Sequence, residues 1–359
     1  MIYHFKQFFR LWFLSVLFWT IAFSLFIFIR FVAYGEEQEA VQSINTNTSD
    51  VFSWLHFGLI LGFFIGTIYA IIEFLFERII IKNIYLGLSI ILKTIIYLFV
   101  LLFSFLFVIE LAETEMDIDL VNDVSWWFDN GLFWVVISYF FLSSFIFQFI
   151  KIANEKFGRG VLINMLTGKY RTPVEEERLF MFIDLKSSTT LAEKLGHFKY
   201  SQLLQDCFFD LNRIMGRYNA EIYQYVGDEA VLSWSYNNGI KNFRCVDLYF
   251  DFQKVLKKRS KYYLKRYHVN PFFKAGVHGG KLIVTEVGSL KKELAYHGDV
   301  INTTSRIQEA CNTYNESFLI SEKVVNDINL KSKYISKEIG DLLLKGKKYR
   351  LKIYSINKI

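Results

Sequence analysis

Residues 178–189 read RLFMFIDLKSST, a short apolar stretch that ends at an aspartate and passes at once into a polar segment. The stretch from Arg178 to Asp184 has the length and apolar content of a buried strand, and the polar turn after it opens a helix. Backbone N–H groups at such a turn can bind phosphate oxygens, and a carboxylate beside them can hold a divalent metal ion. An isolated aspartate at this place is more often a helix N-cap than a metal ligand, so the interpretation of Asp184 depends on the rest of the chain.

A second aspartate stands at the tip of a predicted β-hairpin. Glu221–Val226 and Glu229–Trp234 are predicted strands, and the Gly227-Asp228 dipeptide between them is typical of a tight turn. Further predicted elements are helices at 189–195, 200–218, 240–267 and 299–311 and a strand pair at 274–278 and 281–287 around Gly279-Gly280. This order is that of a split βαβ, ferredoxin-like sheet and predicts an α+β fold. In this topology the hairpin tip and the end of the first strand share one sheet edge, where Asp184 and Asp228 could hold a pair of metal ions.

Four motifs occur in a fixed order along the second half of the chain: FIDLKSST, YVGDEAV, HGDVINTTSR and LKGK. Together they resemble the catalytic domain of class III nucleotidyl cyclases, which include membrane-bound adenylyl and guanylyl cyclases, over about residues 175–357. The resemblance implies conversion of a nucleoside triphosphate, ATP by default, into its 3′,5′-cyclic monophosphate and pyrophosphate. It also implies two Mg²⁺ or Mn²⁺ ions per site and a homodimer, because in the family each site combines residues of both subunits.

By this resemblance, Asp184 and Asp228 match the two metal-binding aspartates, and the carbonyl group of Ile183 is a further ligand. The polar turn after Asp184 would bind the substrate phosphates. It comprises Leu185, Lys186, Ser187, Ser188 and Thr189.

The resemblance also assigns catalytic roles on the partner side of the site. Asn302 and Arg306 match the asparagine that orients the ribose and the arginine that stabilises the transition state. Because they are four residues apart on a predicted helix, they project from one face, and an arginine there can neutralise charge that grows on phosphate oxygens. Lys345 in the LKGK motif matches the lysine that contacts the phosphates, with Lys347 as the alternative.

Two positions that read the base depart from the pattern of most adenylyl cyclases. Gln224 stands in place of a lysine, and Ala295 in place of an aspartate or threonine. A glutamine side chain both donates and accepts hydrogen bonds, whereas alanine does neither. The resemblance favours ATP as the substrate, and these two departures leave GTP or a pyrimidine triphosphate as the alternative. A second alternative is a membrane receptor whose domain binds nucleotide without turnover. Residues 226–230 read VGDEA, which is not the GGDEF signature of diguanylate cyclases.

The composition, with 53% hydrophobic residues and three cysteines, excludes a disordered or disulfide-stapled protein. Residues 1–150 contain four apolar stretches of membrane-spanning length, at 11–29, 55–76, 88–109 and 132–150. A signal peptide is the alternative for the first, but no small-residue cleavage site follows it. We therefore predict an α-helical membrane domain of four transmembrane helices at 1–150, a cytoplasmic linker at 151–177 and a cytosolic catalytic domain at 178–359.

The distribution of charge predicts the orientation in the membrane. Lys and Arg precede the first stretch, separate the second from the third and follow the fourth. In contrast, residues 31–54 and 110–131 contain carboxylates and no basic residue. Under the positive-inside rule both termini are cytoplasmic in a multi-pass protein of the inner (cell) membrane. We interpret Glu73 and Lys93 as lying near the cytoplasmic surface, with an ion path or ligand site as the alternative. The basic run at 257–266 is interpreted as a solvated face turned toward anionic lipid, so no nucleic-acid partner is expected.

Overall fold

The structure is a computed structural model that describes residues 2–37, 51–79, 88, 91–100, 102–103, 131–157, 161–289, 292–328, 333–343 and 350–359. The chain divides into two compact units, Met1–Ala153 and Asn154–Ile359. Each unit has a hydrophobic core of its own.

The N-terminal unit consists of long apolar helices. They are α1 (Ile2–Glu37), α2 (Val51–Ile79), α3 (Ile91–Val100) and α4 (Gly131–Phe157). Within the described residues, three of these helices are long and apolar enough to cross a membrane, over Phe8–Ile29, Gly58–Phe76 and Trp134–Ala153. The helix α3 is shorter, and the predicted span at 88–109 lies partly outside the described residues, so a fourth spanning helix stays a prediction.

Three glycines on one face of α2 allow that helix to pack closely against α1. Gly58, Gly62 and Gly66 are four residues apart, a spacing that in membrane helices lets two backbones approach. A Cβ atom at Gly62 would lie 2.6 Å from the backbone nitrogen of Thr20, and one at Gly66 would lie 2.9 Å from that of Val16. Larger side chains at these positions would therefore force the two helices apart.

A buried carboxylate joins three helices of this unit. Glu73 on α2 is fully buried and accepts hydrogen bonds from Lys93 on α3 (2.7 Å), from Tyr97 (2.5 Å) and from Lys151 on α4. The side chain of Lys93, which the sequence placed near the cytoplasmic surface, is only 10% exposed and is directed to Glu73. An ammonium that finds a carboxylate on a neighbouring helix does not need to reach water.

The C-terminal unit is an α+β domain, as the sequence predicted. Its strands are β1 (Val174–Leu185), β2 (Glu221–Val226), β3 (Glu229–Ser235), β4 (Phe273–Val287), β5 (Glu293–His297), β6 (Phe318–Ser321), β7 (Tyr334–Leu343) and β8 (Arg350–Lys358). Its helices are α5 (Val161–Leu166), α6 (Ser188–Met215), α7 (Tyr236–Ile240), α8 (Arg244–Lys258), α9 (Ser260–Tyr267), α10 (Asp299–Thr313) and α11 (Glu322–Asp327).

The strands form one sheet in the order β2-β3-β1-β4-β6-β8-β7, with β5 paired to β4. The first four strands of this order have the predicted ferredoxin-like arrangement, in which β1 lies between β3 and β4 and is antiparallel to both. Alternate residues of β1 enter different cores: Met181 packs in the cluster that contains α6 and α8 residues, and Phe180 and Phe182 pack in a second cluster. Burial on both faces explains why this strand reads as a continuous apolar run.

Two predicted boundaries were wrong. The strand β4 runs unbroken from Phe273 to Val287 where two strands were predicted, because Gly279 and Gly280 lie within the strand and do not form a turn. A Cβ atom at Gly279 would lie 2.7 Å from a ring carbon of Tyr236, so this glycine serves close packing. The helix predicted at 240–267 is divided into α8 and α9, and residue 240 is the last residue of the separate helix α7.

Replacing Glu73 should destabilise the N-terminal unit. A Glu73→Gln variant leaves Lys93 and Lys151 buried without their carboxylate, and the loss of one partner from a buried ion pair costs about 3–5 kcal/mol. We expect a lower thermal unfolding midpoint for the full-length chain in lipid nanodiscs, followed by tryptophan fluorescence. A Glu73→Gln/Lys93→Met double variant, which removes one of the stranded charges, should be less destabilised. Equal stability of wild type and Glu73→Gln would contradict this account.

Candidate active site

The two aspartates meet at one edge of the sheet. The register of β1 with β3 places Asp184 opposite Glu229, the residue that follows Asp228. Gly227 has a φ of 61°, in the left-handed region that favours glycine, and this allows the two-residue turn that carries Asp228. The two carboxyl groups lie close enough for the negative charge of Asp228 to contribute, with burial, to a raised pKa of Asp184. The structure therefore brings together the two carboxylates that the sequence singled out, and their role as metal ligands stays a prediction.

Negative charge is concentrated at this edge. Partial burial, together with the charge and hydrogen bond of Asp228, raises the pKa of Asp184 to about 7, although hydrogen bonds from Gln308 and from the backbone of Leu185 oppose the rise. Burial and the charges of Asp184 and Asp228 likewise raise the pKa of Glu229 to about 7. The raised pKa values mean that these carboxylates repel one another when they are ionised. A cation bound between them would stabilise their ionised forms.

The donor set at this edge fits a hard divalent cation. Mg²⁺ is typically bound through one or two carboxylates, with water and substrate phosphates as the remaining ligands. Asp184 and Asp228 supply such a pair, and Ile183, whose carbonyl group is the predicted further ligand, precedes Asp184 in β1. In the part of the chain that the structure describes, no group of three or more His, Cys, Asp or Glu side chains has metal-binding geometry. The pair would therefore depend on backbone, water and substrate oxygens to complete the coordination.

The predicted phosphate-binding turn is only partly available for a ligand. The backbone N–H of Leu185 interacts with the carboxylate of Asp184, and that of Lys186 donates to the carbonyl oxygen of Phe272 at 2.9 Å. Ser187, with a φ of 58° in the left-handed region, is the residue directly before the first turn of α6. The backbone N–H groups of Leu185 and Lys186 are thus already engaged, whereas Ser188 and Thr189 lie in the first turn of α6, at the positive end of the helix, and phosphate binding by this turn stays a prediction.

The candidate catalytic pair lies on α10. Asn302 is exposed and Arg306 is half-buried, and the helix presents its opposite face to the sheet. The side chain of Thr304 is buried there and donates to the carbonyl oxygen of Val300 at 2.6 Å. Lys345 and Lys347 lie outside the described residues, so the lysine assignment stays a prediction.

The candidate base-reading residues lie on β2 and β5. Gln224 is exposed next to a register shift in β2, and Ala295 is half-buried and pairs with Thr285 of β4. The two strands contact each other through the neighbouring rings of Tyr223 and Tyr296, whose centroids are 4.9 Å apart.

The sequence analysis missed three residues at this site. Gln308 on α10 donates from Nε2 to Oδ2 of Asp184 at 3.2 Å. Tyr200 on α6 hydrogen-bonds Ser188 and has a raised pKa, because it is partly buried near the charge of Asp228. The third is Glu229. Helical periodicity would have placed Gln308 on the buried face of α10, where a polar side chain requires a partner, and the hairpin register would have placed Glu229 opposite the first aspartate.

Comparison with known proteins agrees with the motifs. Residues 174–358 match the family described as the adenylate and guanylate cyclase catalytic domain, which confirms the resemblance. The protein "Adenylate cyclase 2" of Rhizobium meliloti (strain 1021) is 34% identical over 208 residues, 58% of this chain and 57% of the relative. The chain thus aligns with little more than half the length of that relative.

Solved structures with a similar fold include cyclase domains. The adenylyl cyclase CyaB from P. aeruginosa is 18% identical, with a TM-score of 0.45 over 52% of this chain and 96% of that chain. A bacterial light-regulated adenylyl cyclase is 21% identical, with a TM-score of 0.49 over 60% of this chain and 62% of that chain.

The crowded carboxylates predict a dependence of stability on pH. Because the pKa of Asp184 is about 7 in the folded protein, the folded state retains a proton that the unfolded chain loses from about pH 4 upward. The free energy of unfolding of the metal-free protein should therefore fall as the pH rises from about 4 to about 7. Asp228→Asn removes one of the repelling charges, and it should raise the thermal unfolding midpoint in EDTA at pH 8 and have little effect at pH 5.

The control for this measurement is Asp341→Asn, the same change at an exposed position of β7. It should leave the pH dependence unchanged. Addition of Mn²⁺ at pH 8 should stabilise the wild type more than Asp228→Asn, because the cation replaces the missing proton. A wild-type protein that is more stable than Asp228→Asn in EDTA at pH 8 would show that the carboxylates do not repel each other.

Proposed function

Because the match to residues 174–358 covers more than half of the chain, the protein belongs to the adenylate and guanylate cyclase catalytic domain family, and we propose that it is a membrane-bound enzyme that converts ATP into 3′,5′-cyclic AMP and pyrophosphate. The observation that carries this proposal is the strand register that places Asp184 opposite Glu229, beside Asp228 at the sheet edge, where burial and the charge of Asp228 raise the pKa of Asp184. A site that holds two carboxylates together beside a helix N-terminus suits a triphosphate bound with divalent cations.

The proposed reaction is an intramolecular phosphoryl transfer. The 3′-oxygen of the ribose bonds to the α-phosphorus, the bond from that phosphorus to the β-bridging oxygen breaks, and the hydroxyl proton is released. Asp184 and Asp228, with the carbonyl group of Ile183, would hold two Mg²⁺ or Mn²⁺ ions. When bound, these ions supply positive charge that favours ionisation of the hydroxyl group and neutralises the phosphates.

The other residues bind and orient the substrate. Ser188 and Thr189 lie in the first turn of α6, where backbone N–H groups and the helix dipole favour phosphate oxygens. Asn302 would orient the ribose so that its 3′-oxygen faces the α-phosphorus. Arg306 would neutralise charge that develops on the phosphate oxygens, and Lys345 would contact the phosphates. A single donor of this kind contributes about 3 kcal/mol or more to transition-state stabilisation.

We propose that each active site forms between two copies of the chain. One protomer would contribute Asp184 and Asp228, and its partner would contribute Asn302, Arg306 and Lys345. A two-fold pair of identical domains then builds two equivalent sites. The exposed position of Asn302 on α10 is consistent with a role toward a second molecule.

ATP is the proposed substrate on the similarity to a relative named adenylate cyclase. Gln224 would read the base edge, because its amide both donates and accepts, while Ala295 contributes no hydrogen bond from its side chain. GTP or a pyrimidine triphosphate is the alternative substrate that these two residues keep open.

We further propose that the N-terminal unit anchors the enzyme in the lipid bilayer of the inner (cell) membrane. The three helices of spanning length support this placement. The four-span topology, the linker at 151–177 and the cytoplasmic position of both termini rest on the positive-inside distribution of Lys and Arg. No nucleic-acid partner is proposed.

The substrate assignment is tested with the full-length protein in lipid nanodiscs. The purified chain is incubated with Mg²⁺ or Mn²⁺ and each of the four ribonucleoside triphosphates, and the products are identified by mass spectrometry. We expect cyclic AMP from ATP as the main product. A folded dimer that forms no cyclic nucleotide from any triphosphate would favour the alternative of a nucleotide-binding receptor, which Gln224 and Ala295 motivate.

Subunit sharing predicts complementation between two inactive variants. Asp228→Asn and Arg306→Ala should each abolish turnover alone, because each damages both sites of its homodimer. When the two are co-expressed, half of the dimers are mixed and each mixed dimer has one intact site, so about a quarter of the wild-type cyclase activity should return. The control is the double variant co-expressed with wild type. Its mixed dimers contain no intact site, so only the wild-type homodimers should contribute, about a quarter of the wild-type activity, whereas sites built within one chain would give about half. Activity no higher than that of the single variants would place all catalytic groups in one chain.

A further inference from the structure

Gln308 lies on the buried face of α10, beneath the carboxylates of the active site. Its side chain is 4% exposed, and its Nε2 donates to Oδ2 of Asp184 at 3.2 Å. A buried amide requires hydrogen-bonding partners, and here a partner is the carboxylate that ends the central strand β1. The contact therefore joins the helix that carries Asn302 and Arg306 to the candidate metal-binding edge of the same protomer.

The close approach of α10 to β4 allows this contact. A Cβ atom at Gly276 of β4 would lie 2.7 Å from Cα of Gln308, so only glycine leaves room for the helix at this depth. Gly276 pairs with Phe182 of β1, two residues before Asp184. The glutamine side chain can thus extend over β4 and reach the next strand.

Further hydrogen bonds hold α10 in place on β4. Cys311 donates from Sγ to the carbonyl oxygen of Ala275 at 3.3 Å, and Lys274 donates from Nζ to Oδ1 of Asn312 at 2.8 Å. The backbone from which the Gln308 side chain extends is therefore fixed relative to the sheet, and the amide is held toward Asp184.

We propose that Gln308 is a positioning residue that holds the Asp184 carboxylate in the orientation required for divalent cation binding. The proposal rests on the proposed function, in which Asp184 is a metal ligand. The neighbours Asp228 and Glu229 are carboxylates that repel Asp184, so a donor is needed to keep its side chain from turning away. A neutral amide suits this role because it fixes one oxygen without adding a positive charge that would oppose the cation.

The test uses Gln308→Met, which keeps the length and approximate volume of the side chain but removes the donor. Binding of Mn²⁺ is followed by the electron paramagnetic resonance signal of the free ion, with full-length protein in nanodiscs and 3′-deoxy-ATP, which lacks the attacking hydroxyl group. We expect the Kd for Mn²⁺ to rise about tenfold, as is typical when a partner that orients a ligand is lost.

The matched control is Gln205→Met, the same change at an exposed glutamine of α6. It should bind Mn²⁺ as the wild type does. In the cyclase assay, Gln308→Met should need more metal for half-maximal rate, and at saturating Mn²⁺ its kcat and its KM for the nucleotide should return to near wild-type values. A merely structural role would lower kcat at every metal concentration.

Two further variants guard against a folding defect. Gln308→Asn keeps an amide but is one methylene shorter, so it should weaken Mn²⁺ binding in the same way. Gly276→Ala should displace α10 and also weaken Mn²⁺ binding while every polar group is retained. Wild-type Mn²⁺ affinity in folded Gln308→Met, or unfolding of both Gln308 variants, would overturn the proposal.

The outcomes also separate this proposal from the proposed function. If the wild type binds Mn²⁺, if Asp184→Asn abolishes that binding and if no triphosphate is cyclised, the cyclase assignment fails while the role of Gln308 is still measured. If the wild type cyclises ATP and Gln308→Met binds Mn²⁺ normally, only the positioning role fails.

Discussion

The repulsion between Asp184 and Asp228 is the constraint on which the architecture of the catalytic unit depends. Two carboxylates on a flexible chain would separate, and here they are held close enough for the charge of Asp228 to contribute to the raised pKa of Asp184. The force that holds them comes from the sheet: β1 is paired along most of its length with β3 on one side and β4 on the other, and it is buried on both faces. The hairpin turn at Gly227 then fixes Asp228 against the end of that strand. Stability gained in the core thus maintains an unfavourable arrangement at the edge, which a bound cation would relieve.

The helix α10 has two faces with different tasks in the proposed dimer. Its outward residues Asn302 and Arg306 would serve the site of the partner, whereas its inward residue Gln308 contacts Asp184 of its own chain. The hydrogen bonds from Cys311 and Lys274 bind this helix to β4. Because a helix moves as a rigid body, a change in the position of α10 would alter both half-sites of one protomer together.

The sequence predicts those parts of the fold in which one local signal dominates. The apolar run that ends at Asp184 and the Gly-Asp turn after Val226 were sufficient to predict β1 and the hairpin. Through the topology they also predicted that the two aspartates share one sheet edge. Gly279 misled the prediction because a glycine within an extended run is compatible with a turn or with close packing, and the ring of Tyr236 that decides between them lies far away in sequence. Gln308 was missed for a related reason. The partner of Gln308 is Asp184, which lies on the strand beyond β4. Helical periodicity predicts which face of α10 is buried, but it does not predict which atom a side chain on that face contacts.

The two units bury carboxylates in opposite ways, and the contrast separates structure from function. Glu73 is fully buried among donors from three residues, Lys93, Tyr97 and Lys151, so its charge is compensated within the chain. Asp184 is only partly buried, and burial and the charge of Asp228 raise its pKa, whereas the ammonium group of Lys274, its pairing partner on β4, donates to Oδ1 of Asn312. A fold has no structural reason to collect like charges at one edge, since replacing either of them with a neutral group would remove the repulsion. The Glu73 carboxylate is therefore explained by helix packing, whereas the closely placed Asp184 and Asp228 are explained by their proposed role as ligands of a divalent cation.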